Sequence, residues 1–168
     1  LKSFGINTLE DKSRFGLSLT LGGGEVKLFE LVHAYSLLAA DGILHKQVVI
    51  LKIEDKNGEI LEEYNDVGNK VVESNYVRLV NDVLSDVDLR APLYSASLGL
   101  TQVPGYQVAL KTGTTNDYRD AWTIGYAPNL ALGIWVGNNN REPLKSKGSS
   151  ILAAVPIWHN FMAKVLPK

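Results

Sequence analysis

Apolar residues recur three and four positions apart between residues 25 and 40: Val26, Phe29, Leu31, Val32, Tyr35, Leu38 and Ala39. That spacing predicts an amphipathic helix over 25–40. Glu30 falls in its first turns, and Asp41-Gly42 closes it. Residues 48–54 are rich in β-branched side chains and predict a strand. Asn57-Gly58 follows, then the extended run 59–64. Asn-Gly between two such runs predicts a hairpin with both turn residues at positive φ. Val72, Tyr76, Leu79, Val80, Val83 and Leu84 predict a second amphipathic helix over 72–87. The stretch 91–105 is turn-rich and carries no clear period. Three strand-like runs come next, at 106–114, 121–126 and 130–137. Their linkers, 115–120 and 127–129, are too short for helical crossovers, so the strands are predicted to be antiparallel neighbours. A polar loop over 138–150 leads to an apolar helix over 151–166, where Pro156 marks a kink or the first turn. At the other end, 1–14 reads as loop or frayed terminus. The short apolar run 15–21 ends in the flexible break Gly22-Gly23-Gly24. Helices plus an antiparallel meander make the fold class α+β, an antiparallel sheet flanked by helices. The helices at 25–40 and 151–166 are expected to supply apolar faces to its core.

Composition narrows the function classes. The chain has 168 residues, 45% hydrophobic and 21% charged, the balance of a soluble globular domain or part of one. Seventeen basic residues against 18 acidic ones leave a net charge of −1. Without a broad positive field, nucleic acid is not expected as a partner. Cysteine is absent, which excludes disulfides, Cys-zinc sites and thiol nucleophiles. No run approaches 18 consecutive apolar residues, so no transmembrane helix is expected. Leu1-Lys2-Ser3-Phe4-Gly5 has no signal-peptide pattern and no initiating Met. The chain reads as cut from a longer protein, with any anchor or address outside it.

The most distinctive chemistry is Lys111-Thr112-Gly113-Thr114-Thr115, at the end of an apolar strand. Strand alternation puts Lys111 and Gly113 on one side, Thr112 and Thr114 on the other. A cation, a bare backbone edge and two hydroxyls suit an anionic, peptide-like ligand that adds to the strand edge. An ordinary strand end explains the same residues: a lysine reaching water, and threonines chosen for β-propensity. Gly22-Gly23-Gly24 is not a phosphate loop, because no Lys-Ser/Thr pair follows it. His33, His45 and His159 stand apart without metal-ligand spacing, so no metal or other cofactor is assigned. Asp117-Tyr118-Arg119-Asp120 reads as turn hydrogen bonding plus an exposed ion pair. Trp122, Trp135 and Trp158 read as core aromatics.

Taken in order, these segments resemble one family. Leu19-Thr20-Leu21-Gly22-Gly23-Gly24-Glu25-Val26, then Leu31-Val32-His33-Ala34-Tyr35 and Ala39-Ala40-Asp41-Gly42, resemble a segment of penicillin-binding transpeptidases. The run from Val108 through Lys111-Thr112-Gly113 to Asp120-Ala121-Trp122 resembles their Lys-Thr-Gly strand and the hairpin after it. Gly125-Tyr126-Ala127-Pro128, Trp135-Val136-Gly137-Asn138 and Ala154-Val155-Pro156-Ile157-Trp158 continue the likeness, which is weak over 66–104. The pattern is most similar to the class A, bifunctional penicillin-binding proteins. Two positions depart from it. Lys27 stands where the family has a capping Ser or Thr, and Leu110 where a small residue is common.

The resemblance implies the penicillin-binding protein/serine β-lactamase-like transpeptidase fold and a peptidoglycan cross-linking DD-transpeptidase. In that family a serine in Ser-x-x-Lys attacks the D-Ala-D-Ala bond of a stem peptide, and a Ser-x-Asn relays protons. No serine of this chain has Lys three residues on or Asn two residues on. Residues 1–168 are therefore expected to be the C-terminal part of a transpeptidase domain, inactive alone, with both motifs upstream. Lys111 would supply positive potential, Thr112 and Thr114 would bind the substrate carboxylate, Gly113 would allow close approach, and the Thr114 backbone N–H would be one oxyanion donor. The implied partners are the stem peptide, β-lactam antibiotics and the missing N-terminal part. The parent protein is expected to be membrane-anchored at the extracytoplasmic face of the bacterial cytoplasmic membrane. A serine β-lactamase or D,D-carboxypeptidase relative, and a non-catalytic module that holds cell-wall peptide, remain as alternatives. A 168-residue piece studied alone is also expected to expose surface that the rest would cover.

Overall fold

The structure is a computed structural model that describes residues 1–9, 11–145 and 148–166. Its centre is a three-stranded antiparallel sheet. The two-residue strand β1 (Ile43–Leu44) pairs with β4 (Asn69–Lys70), and β2 (Lys52–Glu54) pairs with β3 (Ile60–Glu63), while β5 (Ala109–Thr114), β6 (Asp120–Ala127) and β7 (Leu130–Gly137) form the main sheet. Thr114 lies opposite Ala121 and Asp120 opposite Gly137, the antiparallel meander that the short linkers predict.

Two helices cover this sheet on opposite faces. Directly opposed residues share a face, so the rows Leu110/Gly125/Leu132 and Thr112/Thr123/Ile134 point one way. Lys111/Ile124/Gly133 and Ala109/Tyr126/Ala131 point the other way. The first face meets α4 (Ser150–Val165), whose Trp158 and Met162 are fully buried among Val108, Leu110, Ala127 and Val155. The second meets α1 (Leu28–Ala39), where the rings of Tyr35 and Tyr126 cross edge to face at 6.0 Å. Both helices pack on the sheet as expected, but the predicted stripes are only partly covered: the fully buried residues of α1 are Glu30, Ala34 and Leu37, while Phe29 and, in α4, Leu152, Ile157 and Phe161 are exposed. The fold class is α+β.

Several expectations need correction. Residues 1–9 and 11–14 are not frayed. They form 3₁₀ turns at Lys2–Phe4 and Lys12–Arg14, and Ile6 is buried. Glu30 secures them, because its carboxylate accepts from the Thr8 hydroxyl at 2.6 Å and from the Thr8 and Asn7 backbone N–H groups at 3.1 Å. Those donors, with Thr8 foremost, hold the Glu30 carboxyl below the usual carboxylate range. The strand expected over 48–54 shrinks to Lys52–Glu54. In its hairpin only Gly58 takes positive φ, at 84°, and Asn57 does not. The Asp55 carboxylate organises the turn instead, accepting from the Asn57 and Glu59 N–H groups at 2.8 Å.

The stretch 91–105 is also more regular than its composition suggests. The helix expected over 72–87 ends as α2 (Ser74–Ser85), and α3 (Val87–Tyr94) and a 3₁₀ helix (Ser95–Thr101) follow. Asp86 caps α3 by accepting from the Leu89 N–H at 3.0 Å. Pro156 lies inside α4, beyond its first turn.

The largest departure is the direction α2 faces. Tyr76, Leu79, Val80 and Val83 are 43–63% exposed, and the buried residue of α2 is Val77. Leu89 and Leu93 of α3 and Val49, Ile50, Leu51 and Leu61 around the β2–β3 hairpin are also exposed. The accessible surface is 11177 Å². A compact chain of this size would show about 8,200 Å².

Candidate functional site

Lys111-Thr112-Gly113-Thr114 makes up the last four of the six residues of β5, an edge strand whose one neighbour among the described residues is β6. Lys111 and Gly113 fall on the α1 face and Thr112 and Thr114 on the α4 face, as the alternation predicts. The two sides differ in how they are held. The Lys111 side chain is exposed, and its ammonium donates to the Thr112 carbonyl at 2.6 Å. A β-carbon added at Gly113 would meet only Trp122 Cβ, at 3.7 Å, an ordinary contact. The fold therefore has no internal need for glycine at this position.

On the α4 face both hydroxyls have partners. Thr112 Oγ1 lies 2.8 Å from the hydroxyl of Tyr94, a residue only 6% exposed. Thr114 Oγ1 accepts from the Ser150 backbone N–H and donates to Ser150 Oγ, both at 3.1 Å. Ser149 gives α4 no side-chain cap, and Thr114, on the sheet face that α4 covers, caps this helix instead.

The hairpin after the strand is rigidly tied. The Thr115 hydroxyl donates to Asp120 Oδ2 at 2.9 Å and accepts from the Asp120 N–H at 2.8 Å. Asp120 Oδ1 accepts from Trp135 Nε1 at 3.0 Å. Asp117 and Tyr118 sit in the left-handed region, and Arg119 lies 3.8 Å from Asp117. Turn hydrogen bonds and an exposed ion pair are what the sequence predicts for this loop.

Tyr94 and Ser150 were not legible as neighbours of the site, and neither was Arg90. Arg90 is 7% exposed, and its guanidinium donates to the carbonyls of Ser85, Asp86, Thr101 and Val108 at 2.6–3.3 Å. Burial pushes its pKa down. This buried cation staples α2, α3 and the 3₁₀ helix to the residue before β5. A buried arginine so satisfied leaves no trace in hydrophobic periodicity.

The histidines are dispersed. His33 Nε2 lies 2.7 Å from the His45 carbonyl, His45 Nδ1 lies 2.7 Å from Asp66, and His159 Nδ1 lies 3.1 Å from the Gln102 carbonyl. Among the described residues no three His, Cys, Asp or Glu side chains gather as metal ligands. Of the three tryptophans, Trp158 is fully buried, and Trp122 and Trp135 are partly buried. Two clefts, of about 370 and 500 Å³, lie near Gln107 at the opposite end of β5, and neither is lined by residues 111–114. Among the described residues no helix is long and apolar enough to cross a membrane.

The sequence matches the penicillin binding protein transpeptidase domain over residues 4–163. It is 38% identical over 148 residues to penicillin-binding protein 1A of Aquifex aeolicus, a match covering 88% of this chain and 20% of that relative. The structure superposes on the penicillin-binding protein PonA1 from Mycobacterium tuberculosis with a TM-score of 0.82 at 25% identity, covering 99% of this chain and 48% of that one. PonA1 in complex with penicillin V matches with a TM-score of 0.79 at 26% identity, again over 99% of this chain and 48% of the other. This chain therefore belongs to the penicillin-binding protein transpeptidase domain family, as a relative of penicillin-binding protein 1A.

Proposed function

We propose that this chain forms the Lys-Thr-Gly wall of a peptidoglycan DD-transpeptidase site, as the C-terminal part of the transpeptidase domain. The observation that carries the reading is the open end of β5. It combines an exposed lysine, a glycine that the fold does not require, and a strand edge with no neighbouring strand among the described residues. An extended acyl-D-Ala-D-Ala peptide would lie along that edge by main-chain pairing. The serine and its lysine base would come from residues outside these 168. The serine oxygen bonds to the penultimate carbonyl carbon and the peptide bond breaks, with the terminal D-Ala leaving as a protonated amine. A second amine then takes the acyl group and frees the serine.

In that sequence Lys111 supplies positive potential to the carboxylate and to the proton-relaying serine, and the Thr114 N–H stabilises the carbonyl oxygen as it becomes an oxyanion. The carboxylate falls to the threonine hydroxyls, with Gly113 leaving room for the peptide. The substrate places this wall on the extracytoplasmic side of the membrane. The complex of PonA1 with penicillin V supports β-lactams as ligands of the complete site.

Intact-mass spectrometry after incubation with a β-lactam tests the reading. The complete protein should gain one adduct on a serine outside these residues, and the 168-residue chain should gain none. An adduct mapped to a serine within the chain would overturn the placement of the nucleophile. A complete protein that binds stem peptide but never acylates would favour a non-catalytic peptide-binding module.

A further inference from the structure

Thr112 and Thr114 are not equivalent as carboxylate donors. Thr114 already donates its proton to Ser150 Oγ, so it can serve an anion only by breaking that bond. Among the described residues the Thr112 hydroxyl has one hydrogen-bond partner, Tyr94 Oη, at 2.8 Å, and either oxygen can be the donor. When Tyr94 donates, the Thr112 proton is left free to point away from the α4 face toward the strand edge. A hydroxyl that accepts from one group donates more strongly to the next.

Tyr94 is well placed to hold that arrangement. It is buried in the cluster that contains Leu110, Trp158 and Met162, so its ring cannot swing away. Arg90, one helical turn earlier, anchors the same helix to the Thr101 carbonyl at 2.6 Å and to the Val108 carbonyl at 3.3 Å. The chain thus fixes both the start of β5 and the hydroxyl of its fourth residue from one helix.

We infer that Tyr94 is a positioning residue that orients the Thr112 hydroxyl as the donor to the ligand carboxylate. This rests on the reading of Thr112 as a carboxylate-binding group. Tyr94 touches no ligand, and its effect passes through Thr112.

The test uses the complete protein and two probes, penicillin V and its carboxyl methyl ester, with second-order acylation rate constants measured for each. Tyr94→Phe keeps the ring and removes the hydroxyl. It should lower the rate constant for the acid about fivefold, the scale of one neutral hydrogen bond, and leave the ester unchanged. Thr112→Val should lower the acid by at least as much, and Tyr94→Phe should add nothing in that background. Thr112→Ser should restore the preference for the acid. Equal losses on acid and ester in Tyr94→Phe would mean a packing role and overturn the inference. An unchanged acid preference in Tyr94→Phe, with a lowered one in Thr112→Val, would remove Tyr94 and leave the Thr112 reading standing. A full preference in Thr112→Val would remove both.

Discussion

The middle of the main sheet and its Lys-Thr-Gly end are built from the same strands, yet they use glycine for different reasons. In the middle, a β-carbon at Gly125 would run into the indole of Trp158, and one at Gly133 would run into Val32. These two glycines let α4 and α1 press against opposite faces of the sheet. At the end, Gly113 has only Trp122 Cβ nearby, at 3.7 Å. A glycine that packing demands is structural. One that packing ignores, beside an exposed lysine on an edge strand, fits the proposed approach of a ligand from outside the chain.

That contrast can be broken or sharpened by substitution. The largest effect is expected at Lys111. In the complete protein Lys111→Ala should slow β-lactam acylation by roughly 10²-fold, as for loss of other preorganised electrostatic groups. Its thermal unfolding should stay close to that of the parent. Unimpaired acylation would remove the role assigned to this wall. Gly125→Ala should do the opposite. The forced repacking around Trp158 should cost about 2 kcal/mol in denaturant unfolding, and activity should fall only as the folded fraction falls. A neutral Gly125→Ala would show that α4 can withdraw from the sheet and would erase the contrast.

Thr114 belongs to both regions, because its hydroxyl caps α4 while its N–H is the proposed oxyanion donor. Thr114→Val should cost about 1 kcal/mol of stability through the lost cap. It should slow acylation less than Lys111→Ala, since the backbone N–H survives. The smallest stability change is expected for Gly113→Ala, within about 0.5 kcal/mol of the parent. Acylation should nevertheless slow, because the new methyl group stands where a ligand would lie. Melting curves and acylation rates measured on the same samples separate these cases. A Gly113→Ala protein that melts early would return Gly113 to the structural class.

The order of elements was legible because each rests on a local signal. The runs at 106–114, 121–126 and 130–137 have linkers that permit only antiparallel pairing, and β5, β6 and β7 follow them closely. The helix at 25–40 appears as α1 with trimmed ends, and the one at 151–166 as α4, shifted by one residue. The side on which Lys111 and Thr112 fall follows from the period of a strand. Residues 91–105 were not legible, because Pro92 and several small residues mask a helix held by the long reach of Arg90. Residues 1–14 failed for a related reason. Their order comes from Glu30, whose distance along the chain is 22 residues from Thr8 and 23 from Asn7.

The amino-acid sequence alone determines the α+β meander, the antiparallel order of its last three strands and the place of Lys111-Thr112-Gly113-Thr114 at a strand end. Turn length, periodicity and side-chain alternation are short-range properties, carried within a dozen residues. Tertiary structure decides which apolar stripe is buried. The stripes of α1 and α2 look alike as sequence, yet α1 lies against the sheet while Tyr76, Leu79 and Val83 of α2 face outward. It also decides which hydroxyls at the site are free. Tyr94 reaches Thr112 across 18 residues and Ser150 reaches Thr114 across 36. Such contacts depend on how whole elements pack, and no local pattern encodes the distance between two side chains that only folding brings together.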